Sequence, residues 1–234
     1  MLTALVTGAG RGIGLATTKA FLSAGWRVLA LDKDFTAFDS GGTVRGALKR
    51  VQFDLTDTAG IPALAATLGE VHTLVNNAGV LYCDPYAAIP ETHKREILAV
   101  NLEAPVALIT ALSTQMVERK GGRIVNVGSV AAFTGHPDLW YGITKAGLLN
   151  LTKSWATQLG PHGVLVNAVA PGPTHTDMYE QLPQARKDMV TRSVYSARAA
   201  RPDEVAATIL WLGSASPEYV NGITLDCNNG SYPR

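Results

Sequence analysis

Tyr141 and Lys145 lie four residues apart, and Ser129 lies twelve residues before the tyrosine. On a helix that spacing puts the phenol and the amine on one face, with Cβ atoms about 6 Å apart. A tyrosine with its ordinary pKa of about 10 is a poor base at neutral pH. An ammonium group beside it stabilises the phenolate and is expected to lower that value. Such a tyrosine can take the hydroxyl proton of a bound alcohol while hydride leaves, and return it to a carbonyl oxygen in the reverse direction. Ser129 can donate to the same oxygen and fix its orientation. The hydride itself needs a cofactor to receive it. Taken alone, the pair is a common spacing, an aromatic core residue plus a solvated lysine, so its meaning depends on the elements around it.

Those elements begin at the N-terminus. Leu2 to Thr7 is a short apolar run suited to a buried parallel strand. Gly8-Ala9-Gly10-Arg11-Gly12-Ile13-Gly14 follows, then a helical pattern to Ala24 that Gly25 stops. A second strand, Trp26 to Leu31, ends on Asp32. A strand, a glycine turn, a helix, a strand and an acid make a dinucleotide-binding unit. Glycine without a Cβ lets the backbone press on a pyrophosphate. The helix that starts at the last glycines aims unpaired N–H groups at that anion. Asp32 is placed to accept from the adenosine ribose hydroxyls and to repel a 2′-phosphate, which favours NAD over NADP. Arg11 and Lys33 stand against that preference, since either can hold a phosphate.

Alternating strands and helices fill the remaining chain. Strands are expected at Arg50 to Phe53, Thr73 to Val75, Arg123 to Val127, Val164 to Val169 and Gly222 to Asp226. Helices are expected at Ile61 to Leu68, Glu91 to Glu118 (bent at Pro105), Trp140 to Leu159, and from Pro202 onward. Residues 35–46 are polar and glycine-rich and read as a loop. The fold class is α/β: one Rossmann-type doubly wound domain, with about seven parallel strands and helices on both faces.

The combined motifs resemble the short-chain dehydrogenase/reductase family over nearly the whole chain. Thr7-Gly8-x-x-x-Gly12-x-Gly14 matches its cofactor turn, and Asn76-Asn77-Ala78-Gly79 matches its second signature. Asn101, Ser129, Tyr141 and Lys145 match its catalytic tetrad, and Pro171-Gly172 matches its turn near the nicotinamide. The resemblance implies that Asn101 holds a water in the proton relay, although a structural asparagine bonded to backbone is a competing reading. It also implies that Lys145 donates to the nicotinamide ribose and that Asp54 contacts the adenine amino group. The cofactor-binding set is then Gly8, Gly10, Arg11, Gly12, Ile13, Gly14, Asp32, Asp54, Leu55, Asn77, Ala78, Gly79, Tyr141, Lys145, Pro171, Gly172 and Thr174. The family is usually tetrameric or dimeric, so a homo-oligomer is expected.

The leading reading is an NAD-dependent oxidoreductase that interconverts a secondary alcohol and a ketone. One alternative is a 3-oxoacyl-(acyl-carrier-protein) reductase using NADPH, with Arg186, Lys187, Arg192, Arg198 and Arg201 as a docking patch. Another is a nucleotide-sensing regulator that has lost catalysis. Residues 174–200 are amphipathic, broken by Pro183, and read as a substrate lid. Tyr82, Tyr86, Phe133, Trp140, Met178, Tyr179 and Met189 suggest an apolar substrate pocket.

Composition narrows the classes further. A net charge of +1 gives no electrostatic sign of a nucleic-acid or membrane partner. No consecutive apolar run approaches the roughly 18 residues of a membrane span. The two cysteines, Cys83 and Cys227, have neither metal nor disulfide spacing, and the five histidines include no His-x-x-x-His pair. With a strand starting almost at Met1 and no charged leader before it, a cytoplasmic protein with reduced thiols and no metal is expected.

Overall fold

The computed structural model describes residues 1–39 and 46–234, so half of the loop expected at 35–46 lies outside the described residues. Among the described residues seven strands form one sheet: β1 (Thr3–Thr7), β2 (Arg27–Asp32), β3 (Leu48–Gln52), β4 (Thr73–Asn76), β5 (Gly122–Val127), β6 (Val164–Pro171) and β7 (Thr224–Cys227). Every pairing is parallel and the order is β3-β2-β1-β4-β5-β6-β7. The order reverses between β1 and β4, and ligands bind at the carboxyl ends of strands at such a switch point.

The central strands read as continuous apolar runs because both of their faces are covered. All five residues of β1 and all eight of β6 are buried. On one face, α1 (Gly12–Ser23) and α8 (Pro202–Leu210) pack Phe21, Val205 and Ile209 over Val6, Val28 and Val75. On the other, α2 (Ile61–Thr67), α4 (Ala104–Glu118) and α5 (Leu139–Leu159) pack Ile61, Leu108, Leu112, Met116 and Leu159 over Leu5, Leu29 and Ile124. Asn76 and Asn126 sit opposite each other on β4 and β5. The Asn76 amide donates to Asn126 Oδ1 at 2.8 Å, and the Asn126 amide donates to Thr152 Oγ1 on α5 at 2.9 Å.

The long helical run contains α3 (Glu91–Leu98), a π-helical segment at Ala99–Glu103, and α4. Pro105 explains the irregularity. It has no N–H to give to the Asn101 carbonyl four residues earlier, and in the π segment the Ala104 N–H bonds to the Ala99 carbonyl, five residues back. The bend expected at Pro105 is thus expressed one turn upstream of it. By length and composition the 28-residue run Glu91–Glu118 is apolar enough to cross a membrane. Here its apolar residues Leu108, Ile109, Leu112 and Met116 are completely buried in the core.

The segment between β6 and α8 leaves the sheet and returns to it. Its two short helices are α6 (Asp177–Glu180) and α7 (Gln184–Arg192), and Pro183 stands immediately before the second. Its ends are pinned together, with the Ala200 N–H donating to the Pro173 carbonyl and the His175 N–H to the Ala200 carbonyl, both at 2.8 Å.

Candidate active site

At the end of β1, Thr7 ties two strands to the glycine turn. Its hydroxyl accepts the N–H groups of Asn77 and Ala78, each at 3.0 Å, while the Asn77 amide donates to the carbonyls of Thr7 and Gly8 at 2.9 and 3.2 Å. The turn has no room for side chains. A Cβ on Gly8 would come 2.8 Å from Ala78 Cα, and one on Gly14 would come 1.9 Å from the Gly8 carbonyl oxygen. Arg11, the N-cap of α1, makes no side-chain cap, so the first N–H groups of that helix are available to an anion. The crowded turn and the uncapped helix together fit a dinucleotide pyrophosphate.

The Asp32 carboxylate accepts from the Gly10 N–H at 2.8 Å and from the Asp34 N–H at 3.1 Å. It is therefore held in place at the end of β2 and braces the glycine turn. Asp54, expected at the adenine, accepts from the Thr56 N–H and hydroxyl at 2.9 and 2.8 Å, and these bonds hold its pKa below the usual carboxylate value. The two cations that argued for a phosphate both have carboxylate neighbours. Arg11 lies 3.6 Å from Asp177, and Lys33 lies 3.5 Å from Glu96.

At the other end, Asp138 caps α5 through its side chain. One carboxylate oxygen accepts the Tyr141 N–H and the other accepts the Tyr82 N–H, both at 2.9 Å. This fixes the first turn of α5 against the loop after β4, with Tyr141 on that turn. The Ser129 hydroxyl neighbours the Tyr141 phenol and favours its anion, and Ser129 itself caps the short turn after β5 by accepting the Ala131 N–H at 3.1 Å. Lys145 is buried; its amine donates to the Val127 carbonyl at 2.7 Å and lies 5.6 Å from the centre of the Tyr141 ring.

The protonation balance departs from the sequence expectation. Burial pushes the Tyr141 phenol up, outweighing the downward effect of the Ser129 hydroxyl, and burial lowers Lys145 to about 8. The expected lowering of Tyr141 by Lys145 is not seen. The amine is turned to a backbone carbonyl, and removing the phenol from water costs its anion more than the neighbouring groups return.

The Asn101 side chain lies beneath these groups. It accepts from the Val80 N–H at 2.8 Å and donates to the Val80 carbonyl at 2.9 Å and to Thr144 Oγ1 at 3.3 Å. A Cβ on Gly79 would lie 3.5 Å from both Asn101 Oδ1 and Lys145 Nζ, which places these two beside Gly79. The side chain is thus engaged with backbone, as in the structural reading of this residue.

One cavity of about 730 Å³ joins both ends. Its wall includes Gly8, Arg11, Gly12, Ile13, Asp32, Asp54, Leu55, Asn77, Ala78 and Gly79 from the cofactor set, and Pro171, Gly172 and Thr174 beyond the sheet edge. Ser129, Tyr141 and Lys145 line it too. Gly10, Gly14 and Asn101 stand behind the wall. Gly10 holds Asp32, Gly14 packs on Gly8, and Asn101 holds Val80.

The substrate-pocket expectation holds for only three residues. Met178, Tyr179 and Met189 line the cavity. Tyr82 is turned to Glu96, its hydroxyl donating at 2.6 Å, and stacks on His93; Tyr86 is exposed. Phe133 stacks on Tyr232, and Trp140 lies under the Lys94 amine. His136, Asp138 and Arg186 line the cavity and were missed as site residues. Asp138 was detectable, since an aspartate three residues before Tyr141 is an N-cap signal. The arginine patch is largely paired within itself. Lys187 bonds Glu180, Arg198 bonds Glu204, Arg201 bonds Asp203, and Arg186 faces the cavity.

The chain is similar to known proteins in sequence and fold. The family model described as short chain dehydrogenase matches residues 2–187. A galactitol 2-dehydrogenase from Agrobacterium fabrum is 33% identical, covering 98% of this chain and 96% of that protein. A 3-oxoacyl-(acyl-carrier-protein) reductase from Thermotoga maritima is 32% identical, covering 97% of this chain and 96% of that protein. Among solved structures, a proposed NAD(P)-dependent gluconate 5-dehydrogenase from Beutenbergia cavernae, with bound NADP, has a TM-score of 0.90 at 32% identity, covering 98% and 96% of the two chains.

Proposed function

The chain belongs to the short-chain dehydrogenase/reductase family, and we propose that within it this protein is an NAD-dependent oxidoreductase interconverting a secondary alcohol and a ketone. The observation that carries the reading is that Ser129, Tyr141 and Lys145 line the same cavity as the glycine turn. A bound nicotinamide supplies the hydride acceptor or donor. The protein's own groups handle the proton. In ketone reduction Tyr141, kept protonated by burial, gives its hydroxyl proton to the substrate oxygen, and Ser129 donates to that oxygen and orients it. In alcohol oxidation Tyr141 takes the proton back. Lys145, with a pKa of about 8, is mostly protonated at neutral pH and supplies the positive charge that a phenolate needs.

The NAD preference rests on Asp32. Its fixed carboxylate at the end of β2 opposes a 2′-phosphate, and the nearby cations are engaged with Asp177 and Glu96. NADP in a solved relative makes NADPH-dependent 3-oxoacyl reduction the second reading. The internal pairing of Lys187, Arg198 and Arg201 weighs against its basic docking patch. A panel of secondary alcohols and ketones, run in parallel with NAD and NADP, tests both readings. Turnover with NAD is expected. NADH binding without turnover on any member would favour a sensor instead.

The same reading extends to the assembly and the setting. Val106 on α4 and Leu139 and Ile143 on α5 are exposed apolar residues that suit a homo-oligomer contact. A monomer mass by light scattering would argue against it. Free thiols at Cys83 and Cys227 suit a cytoplasmic protein.

A further inference from the structure

Arg186 stands apart from the other basic residues of its segment. It projects from α7 into the cavity wall and, among the described residues, has no carboxylate partner within salt-bridge distance. Carboxylates are present in that wall, but those near the catalytic end are already used. Asp138 spends one oxygen on the Tyr82 N–H and the other on the Tyr141 N–H, and Asp177 is paired with Arg11. His136 lines the same part of the cavity, with its ring centre 5.1 Å from that of Tyr141. Its Nδ1 lies 3.2 Å from the Asp138 backbone N and O, and among the described residues its Nε2 has no partner. The cavity thus presents an imidazole nitrogen beside the catalytic tyrosine and a guanidinium that has no ion-pair partner among the described residues, while the Asp138 carboxylate is held by two backbone N–H groups.

We propose that Arg186 and His136 form an anion subsite, and that the substrate is a hydroxy acid whose carboxylate lies a short distance from the reacting carbon. The substrate class rests on the oxidoreductase reading above. A planar guanidinium recognises a carboxylate through paired hydrogen bonds, and a group so bound is fixed in orientation as well as position. Burial lowers the His136 pKa, the hydrogen bond to the Asp138 backbone opposes that, and the Arg186 charge lowers it again while the Asp138 charge raises it, so the Arg186 guanidinium is felt at the imidazole. Apolar side chains of Met178, Leu182 and Met189 line the cavity as well.

The test is calorimetric binding to the NADH-loaded protein of three ligands with a common carbon chain: D-gluconate, D-glucitol and glucitol 6-phosphate. Gluconate is expected to bind at least tenfold more tightly than glucitol. Arg186→Gln should bring that ratio close to one, and Arg186→Lys, which keeps the charge and loses the fork, should leave an intermediate ratio. NADH affinity within twofold of the parent establishes that each variant is folded. Equal binding of gluconate and glucitol, an unchanged ratio in Arg186→Gln, or no binding by any of the three would overturn the subsite. Tighter binding of glucitol 6-phosphate than of gluconate would overturn the carboxylate assignment in favour of a phosphate. Because the readout is binding, failure of the hydride-transfer reading would appear separately, as intact gluconate affinity with no turnover on any substrate.

Discussion

The amine of Lys145, in the second turn of α5, donates to the carbonyl of Val127 at the last residue of β5 across 2.7 Å. This bond holds the catalytic helix against the sheet edge. It also takes an ammonium group out of water, which is why burial brings Lys145 down to about 8.

That lowering has a sign that can be measured. An unfolded chain binds a proton at this lysine up to its ordinary value of 10.5, while the folded protein releases it from about 8. Between those values the unfolded state binds more protons, so folding gains stability as pH rises; below about 8 both states are protonated and the cost of the buried charge is fully present. Lys145→Met lacks this slope. The stability difference between parent and variant should shift by on the order of 3 kcal/mol in favour of the parent between pH 8 and 10.5. Denaturant titrations at the two ends of that range measure it, and parallel pH dependences would show that the amine is not desolvated.

Asp32 should set the coenzyme preference. Asp32→Asn keeps an acceptor for the Gly10 N–H and removes the charge that opposes a 2′-phosphate. The ratio of kcat/KM with NAD to that with NADP is expected to fall at least tenfold, mainly through a gain with NADP. An unchanged ratio would place the discrimination elsewhere, with Arg11 and Lys33 the next residues to vary.

The glycine turn should tolerate no side chain at Gly14. A Cβ there would stand 1.9 Å from the Gly8 carbonyl oxygen, a backbone atom that cannot swing away. Gly14→Ala should cost about 2 kcal/mol or more by overpacking and weaken NADH binding at least tenfold. Gly135→Ala, where nothing lies within 4 Å of the new methyl, is the matched control and should change neither by a measurable amount. Equal Tm values for the two variants would mean that the turn is looser than its contacts imply.

Much of this architecture was legible in the sequence because it depends on local patterns. Apolar runs at Leu2–Thr7 and Val164–Val169 belong to strands covered on both faces, and Gly8, Gly12 and Gly14 mark a turn whose crowding only glycine allows. The family motifs led to Ser129, Tyr141 and Lys145, and the fold brings these three into one cavity. Three kinds of feature were not legible. The direction of the Tyr141 shift depends on desolvation, which needs the tertiary surroundings of the phenol. The pocket wall depends on how the 174–200 segment returns to the sheet, so Arg186 read as surface and Tyr82 as pocket, when the fold gives Tyr82 to Glu96. The π segment was hidden because Pro105 announces a missing N–H without saying which turn absorbs it.

The most direct measurement of the proposed chemistry is a comparison of Tyr141→Phe with the parent, reading turnover and NADH affinity on the same preparations. Phenylalanine fills the same space and removes only the hydroxyl that Ser129 neighbours. If Tyr141 moves the proton, kcat should fall by about a thousandfold, with NADH affinity within twofold of the parent. Turnover at the parental rate in Tyr141→Phe would contradict its assignment as the acid and base of the reaction.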